Sequence, residues 1–375
     1  MSRFKRLKMH KYKVRVTSVC LLMISTLLGC QTTEPQTSTS APTSVGGEFS
    51  SSQANKGISV QNKAQALERA DEAKSNNDYE RALYYYIQAL EFDKADADVY
   101  FQIGEIHRRL KNTDVASRAY QNVLKYEPEH SGALQALGGI SMAERDYQTA
   151  KQHLQQAITI DQQRLRKHTV ENKSSSGQVA LQSVYLSLDD NSPVNAYVVA
   201  GVIEDIQENH ALARRYYQLA LQHRPKSAPY LTNIGYSFYL TGNYEHAEGY
   251  YKRAINYKRQ FARAWSNLGL VYARQGHYER SIKTLKQIMP EHDAFNDLGY
   301  FLLLEDNLDL AERYFTQAIN TSPIYFEKAN LNLEQVQLLK RERLLKAQAL
   351  PVNGSSVREV NKGSTEEILN HNYKE

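Results

Sequence analysis

Ala264-Trp265-Ser266-Asn267-Leu268-Gly269-Leu270-Val271-Tyr272-Ala273-Arg274-Gln275-Gly276 is the stretch that decides the fold. Its apolar residues follow a helical pattern, yet a glycine stands in the middle, where it costs about 1 kcal/mol relative to alanine. A glycine that recurs in that place at one phase therefore has a packing reason. Gly104, Gly138, Gly201, Gly235, Gly269 and Gly299 each sit inside such a pattern, at intervals of 34, 63, 34, 34 and 30 residues. Twelve residues after them stand Ala116, Ala150, Ala213, Ala247, Ser281 and Ala311. Sixteen after them stand Tyr120, Leu154, Tyr217, Tyr251, Leu285 and Phe315, and nineteen after them Val123, Ala157, Ala220, Ala254, Ile288 and Ala318. The frame extends backwards to Ala70, Ala82, Tyr86 and Ala89.

Two helices approach closely only where neither carries a bulky side chain. Glycine on one helix and alanine on the next, with tyrosine or leucine filling the gap beside them, make an antiparallel pair. Asn77-Asp78, Gly242-Asn243, Gly276-His277 and Asp306-Asn307 supply turns between the helices, and Pro128, Pro225 and Pro323 stop the second helix of their units. A repeat of this length cannot bury its apolar face alone and must stack on its neighbours. The two-helix unit resembles the tetratricopeptide repeat, most clearly at Trp265, Leu268, Gly269 and Tyr272, and the likeness runs from Lys63 to Pro323 as seven units. The resemblance implies an all-α fold, a right-handed tetratricopeptide-repeat solenoid of about seven helix pairs plus a C-terminal capping helix.

Departures from the pattern set the expected boundaries. The 63-residue interval exceeds one period by 29 and places an insertion at 162–193, including Asn172-Lys173-Ser174-Ser175-Ser176-Gly177. Repeats 1–3 then occupy 62–161 and repeats 4–7 occupy 194–323, and the insertion is where the solenoid is expected to divide. Pro290 cuts the sixth unit short. Lys94, Gln162 and Arg259 stand where proline is usual, which leaves those helices free to run on. Residues 324–349 form an amphipathic capping helix whose apolar side is Leu331, Leu333, Val336, Leu339 and Leu345.

The amino terminus reads as an export signal. Arg3, Lys5, Arg6, Lys8, Lys11, Lys13 and Arg15 precede an apolar run from Val16 to Leu28, which is shorter than the roughly 20 residues a membrane-spanning helix needs. Leu27-Leu28-Gly29-Cys30 resembles a bacterial lipobox, which implies removal of residues 1–29 and lipidation of Cys30. More than one acyl chain makes a durable anchor. With Gln31 after the cysteine, and not Asp, the resemblance implies the outer membrane, on its periplasmic face. Residues 30–61, rich in Ser and Thr, form a flexible tether, and residues 350–375 a disordered tail. The formal charge of +5 rests on the seven basic residues of the signal; without them 39 Lys and Arg face 41 Asp and Glu, so nucleic acid is not an expected partner. Cys20 leaves with the signal and Cys30 carries lipid, so no thiol remains for a disulfide.

Chemistry is not expected of this chain. The eleven histidines are scattered, with no pair at ligand spacing on one helix. His107 stands at a packing position. Gly138-Gly139 follows no strand and so is not a phosphate-binding loop. No metal, cofactor, catalytic residue or small-molecule substrate is expected. What remains is surface. Neighbouring first helices should line a groove, and the residues facing it are Val198, Val202, Ile206, Asn233, Tyr236, Tyr239, Leu240, Asn267, Leu270, Arg274, Asp297, Tyr300, Leu303 and Leu304. Asn233, Asn267 and Asp297 recur at one phase, where an amide can hold a ligand's backbone. The same positions of the second unit, Asp98, Glu105, Arg108 and Arg109, are charged. An apolar, aromatic groove with arginine nearby suits an amphipathic peptide or helix.

Three segments sharpen the expectation: Leu231–Glu248, Ala264–Gly276 and Phe295-Asn296-Asp297-Leu298-Gly299-Tyr300 after a shortened sixth unit, with Asn330–Val336 ending the array. Together they resemble the TadD lipoproteins of tight-adherence (Flp) pilus machines over about 194–336. The resemblance implies a protein-interaction scaffold for pilus assembly, with pilotin-like support of the outer-membrane secretin. A periplasmic adaptor for peptidoglycan hydrolases or for outer-membrane protein assembly would share signal, tether and repeats.

Overall fold

The computed structural model describes residues 60–172 and 185–348, so the expected signal, lipidated Cys30, nearly all of the tether and the tail at 350–375 lie outside the described residues. Among the described residues there are fifteen helices and no strand. They divide into two units, one ending at Ile288 and the other beginning at Met289.

The first unit holds six antiparallel pairs: α1 (Lys63–Ser75) with α2 (Tyr79–Phe92), α3 (Ala97–Arg109) with α4 (Thr113–Tyr126), α5 (Ser131–Ala143) with α6 (Tyr147–Asn172), α7 (Val194–Ile206) with α8 (His210–His223), α9 (Ala228–Leu240) with α10 (Tyr244–Tyr257), and α11 (Ala262–Arg274) with α12 (Tyr278–Leu285). The second unit holds α13 (Glu291–Leu304) paired with α14 (Leu308–Thr321), and then α15 (Glu327–Gln348).

The glycine phase has the packing cause expected of it. A Cβ added at Gly104, Gly201 or Gly235 would stand 2.5 to 2.7 Å from the ring of Tyr120, Tyr217 or Tyr251. At Gly138 and Gly269 it would meet Leu154 and Leu285, and at Gly299, Phe315. The rings and leucines that fill these gaps are at most 2% exposed, as are Ala82, Ala116, Ala150, Ala213, Ala247 and Ala311. Where Ser281 replaces alanine its hydroxyl donates to the Gly269 carbonyl at 2.8 Å, so the buried polar group is satisfied.

Each pair turns through one residue in the left-handed region: Asn77, Lys111, Arg145, Glu208, Gly242, Gly276 and Asp306. Beyond it the next amide reaches back to the first helix, as Asn243 N–H does to Phe238 O and His277 N–H to Tyr272 O. This is the closure that satisfies orphan carbonyls at a helix end. Many of the helices start on a side-chain cap, for example Asp78 accepting from Arg81 N–H and Asn243 from His246 N–H.

Three expectations need correction. The core does not divide at the insertion: Leu134, Leu154 and Ile158 share one cluster with Tyr197, Tyr216, Tyr217 and Ile234. The reason lies in α6, which runs on through Gln162 to Asn172 and carries a polar clip. Arg164 donates to Asp189 at 2.6 Å and to Asp161 at 2.7 Å, Tyr197 donates to Asp161 at 2.8 Å, and Gln162 bonds both the N–H and the carbonyl of Leu186. Residues 185–193 are thereby sewn to α6 and α7.

Of the helices lacking a terminal proline, only α6 runs on; those before Lys94 and Arg259 end at Phe92 and Tyr257. Their ends are set by extended or near-extended residues, Asp93 and Lys258, whose amides close on Ala89 and Ala254.

In α15 Val336 is buried and Leu333 and Leu339 half-buried, as expected, but Ala329 and Asn332 also pack, while Leu331 and Leu345 are 44% and 57% exposed. Asn332 Nδ2 donates to Asn296 Oδ1 at 2.9 Å, both buried, and Lys340 and Arg343 pair with Asp309, Glu312 and Asp306. Polar bonds thus join the apolar contacts in fixing the helix.

Candidate functional site

Within the first unit the first helices of neighbouring pairs touch each other, α5 with α7, α7 with α9 and α9 with α11. They form one continuous layer, and ten of the residues expected to line a groove, from Val198 to Arg274, lie on it. Among these, Val202, Asn233, Tyr239, Asn267 and Leu270 are buried, whereas Val198, Ile206, Tyr236, Leu240 and Arg274 are half-buried. Val202 belongs to the large core cluster and Val198 and Ile206 pack against it, so their burial is set by packing within the fold.

The middle of the layer is aromatic. Tyr236 and Tyr239 stack with ring centroids 5.9 Å apart, one helical turn along α9. Arg274 on α11 donates from Nε to the Tyr239 hydroxyl at 2.7 Å and lies 5.8 Å from that ring's centroid. Three of the expected residues thus meet in one patch.

Beside it lies a polar floor that sequence reasoning missed. Arg263, on the first turn of α11, donates from Nη2 to Asn233 Oδ1 at 2.9 Å and to the Pro229 carbonyl at 3.3 Å. Burial holds its guanidinium below the usual arginine range. The buried Asp205 accepts from Ser237 Oγ at 2.8 Å and Tyr217 Oη at 3.0 Å, with His210 Nδ1 at 2.9 Å. Burial, then Asp205 itself, drives the Tyr217 hydroxyl far above its ordinary value. Arg263 stands six residues before Gly269, the phase of Asp98 before Gly104, so its position was available in the repeat frame.

The charged positions of the second pair behave differently. Asp98, Arg108 and Arg109 are exposed and Glu105 half-buried, and Glu105 holds Arg108 at 2.6 Å while accepting from Tyr120 Oη at 2.7 Å. In the second unit, Leu303 is buried and Asp297, Tyr300 and Leu304 are half-buried. Asp297 lies 3.8 Å from Lys328, and its shielded setting raises its carboxyl above the usual range. Among the described residues no three His, Cys, Asp or Glu side chains are grouped to hold a metal ion. No described helix is long and apolar enough to cross a membrane.

Two-helix units stacked through a glycine on one helix and a ring or leucine on the next give the chain a tetratricopeptide-repeat fold, the fold of a protein-interaction scaffold. The family models agree. One described as the middle TPR-like domain of cilia and flagella-associated protein 70 matches residues 67–199, one described as TPR repeat matches 235–276, and one described as tetratricopeptide repeat matches 264–293. No curated protein sequence matches the chain.

Solved structures similar to it include a tetratricopeptide repeat protein from Parabacteroides merdae, at 14% identity over 74% of this chain and 100% of that one, TM-score 0.49. MamA is similar at 21% identity over 57% of this chain and 93% of its own, TM-score 0.39. PilW, described as a widely conserved type IV pilus biogenesis factor, is similar at 17% identity over 74% of this chain and 100% of its own, TM-score 0.41.

Proposed function

We propose that the chain is an outer-membrane lipoprotein, anchored through Cys30 on the periplasmic face, that scaffolds assembly of a tight-adherence (Flp) pilus secretion system and gives pilotin-like support to its secretin. The observation that carries the reading is the patch of Tyr236, Tyr239 and Arg274 on the first-helix layer, flanked by half-buried Leu240. Aromatic rings with an arginine beside them are what recurs where one polypeptide docks on another. The resemblance of 194–336 to TadD lipoproteins supports the choice of partner, and the lipobox-like Leu27–Cys30 supports the choice of membrane. A secretin segment lies along the layer while the lipid keeps the complex at the membrane.

The experiment compares outer-membrane fractions from cells with the protein, without it, and with Cys30→Ala. Secretin multimers fall in the second and third and return when the intact chain is restored. Undiminished multimers in cells lacking the protein would overturn the reading.

A further inference from the structure

The edge where one pair passes to the next changes sign along the first unit. The residues that end the second helices of the first two pairs are acidic, Asp93 after α2 and Glu127 after α4. Those that end α8, α10 and α12 are Arg224, Lys258 and Lys286. A helix C-terminus favours a cation wherever it stands, so the dipole alone would make all five basic. The wider segments divide in the same way: residues 194–288 hold thirteen Lys and Arg against six Asp and Glu, and residues 62–161 hold twelve against sixteen. The junctions after α8 and α10 lie side by side, since Leu221, Ala228, Ile255 and Phe261 share one apolar cluster and Arg263 reaches the Pro229 carbonyl at 3.3 Å. Arg224, Lys226, Lys258 and Arg259 are exposed, and among the described residues no carboxylate lies within ion-pair distance of them. The acidic residues of the first junction are engaged by contrast, Asp93 and Asp96 holding Lys63 at 2.8 and 2.6 Å. Tyr257 stands among the cations, 46% exposed.

We propose that this basic edge lies against the anionic headgroups of a lipid bilayer. The proposal rests on the reading of the chain as lipid-anchored, which holds the edge within reach of a membrane. A single acidic segment is gripped by donors that converge on one place. These cations instead follow one another along three junctions, over roughly 20 Å at one helix spacing per junction. A line of exposed cations fits a surface whose negative charge is itself spread out. Each basic residue near such a surface raises affinity about fivefold, and an aromatic ring such as Tyr257 settles at the level of the headgroups. Phe261, with Lys258 Nζ 5.8 Å and Arg263 Cζ 5.4 Å from its ring centroid, gives the second junction an aromatic base. The bilayer then sets the orientation of the chain as well as its place.

The test reads Trp265, the chain's one tryptophan, whose Nε1 donates to the Arg259 carbonyl at 2.7 Å and which therefore reports from this edge. Purified full-length protein is mixed with vesicles of phosphatidylcholine, alone or with phosphatidylglycerol as about one lipid in three. Both carry a trace of lipid with a nitroxide on its headgroup. Quenching of Trp265 is expected to be at least about fivefold greater in the anionic vesicles and to fall away at high salt. Arg224→Glu with Lys258→Glu should bring it down to the level in neutral vesicles. Lys111→Glu with Arg145→Glu makes the same change of charge at turns on the opposite edge, where Glu208 already adopts that conformation, and should leave the quenching intact. Equal quenching in the two vesicles overturns the proposal. Quenching that survives in folded Arg224→Glu with Lys258→Glu, or that falls as far in the turn variant, overturns it as well. Absent quenching together with shielding of Trp265 from acrylamide by polyglutamate overturns it in favour of an acidic polypeptide. Binding to anionic vesicles alone, with quenching, supports the edge and counts against the anchor, whereas binding to both with quenching in neither supports the anchor and overturns the edge.

Discussion

A methyl group placed on Gly235 would stand 2.7 Å from Cε1 of Tyr251 and 3.2 Å from the carbonyl oxygen of Ala247. The ring is fully buried and the oxygen belongs to backbone, so neither can yield cheaply. Gly249, on the second helix of the same pair, has nothing within 4 Å of such a methyl. Gly235→Ala should therefore destabilise the first unit by about 1–3 kcal/mol, less what helix propensity returns. Gly249→Ala should stabilise it by about 1 kcal/mol. Urea unfolding of the two variants checks the pair, and equal shifts would remove the packing account of the repeat.

The two buried tyrosines that fill equivalent gaps should answer differently to loss of their hydroxyls. Tyr217 Oη donates to Asp205, so Tyr217→Phe strips a bond from a buried carboxylate and should cost about 1–3 kcal/mol. Tyr251 Oη has only the Asn267 amide beside it and no hydrogen bond of good geometry, so Tyr251→Phe should be close to neutral. Thermal unfolding by circular dichroism separates the two outcomes.

Lys111, Arg145 and Glu208 adopt the left-handed conformation that glycine takes at Gly242 and Gly276. Replacing any of the three by glycine should raise stability by about 1 kcal/mol, because a side chain is strained there. Gly242→Ala should lower it by a similar amount. Melting temperatures of Lys111→Gly and Gly242→Ala should move in opposite directions.

The clip on residues 185–193 carries a pH dependence. Arg164 holds the Asp189 carboxyl down to about 2, below its value in an unfolded chain. The contribution is present above the unfolded value and is lost as pH falls from about 4 through about 2. Amide protection factors of residues 185–193, taken against the unfolded-chain rate at each pH, should fall across that window in the wild type, whereas Arg164→Gln should show low protection at every pH.

How far the sequence carries follows from which physics each feature obeys. The helix pairs were legible because a glycine inside a helix has a cost that only close packing offsets, and Gly104, Gly138, Gly201, Gly235, Gly269 and Gly299 all proved to face a ring or a leucine. The turns at Asn77, Gly242, Gly276 and Asp306 were legible because those residue types favour the left-handed region. Lys111, Arg145 and Glu208 gave no such signal; the closing hydrogen bonds of the helix end impose the conformation on them.

The packed side of α15 was legible only in part: Val336, Leu333 and Leu339 were read, but Asn332 packs through a polar pairing that hydropathy does not register. Arg263 went unnoticed because an arginine on a helix reads as solvated, and its burial arises from α9 lying across it.

The central claim is that the first-helix layer of the first unit, and not the second-helix side, receives another polypeptide. Site-specific photo-crosslinking in living cells tests it most directly, with p-benzoylphenylalanine placed at Tyr236 on α9 and, as the comparison, at Tyr257 at the exposed end of α10. The account predicts a crosslink to the secretin from position 236 and none from position 257. Crosslinks of equal yield from both positions, or one from 257 alone, would contradict it.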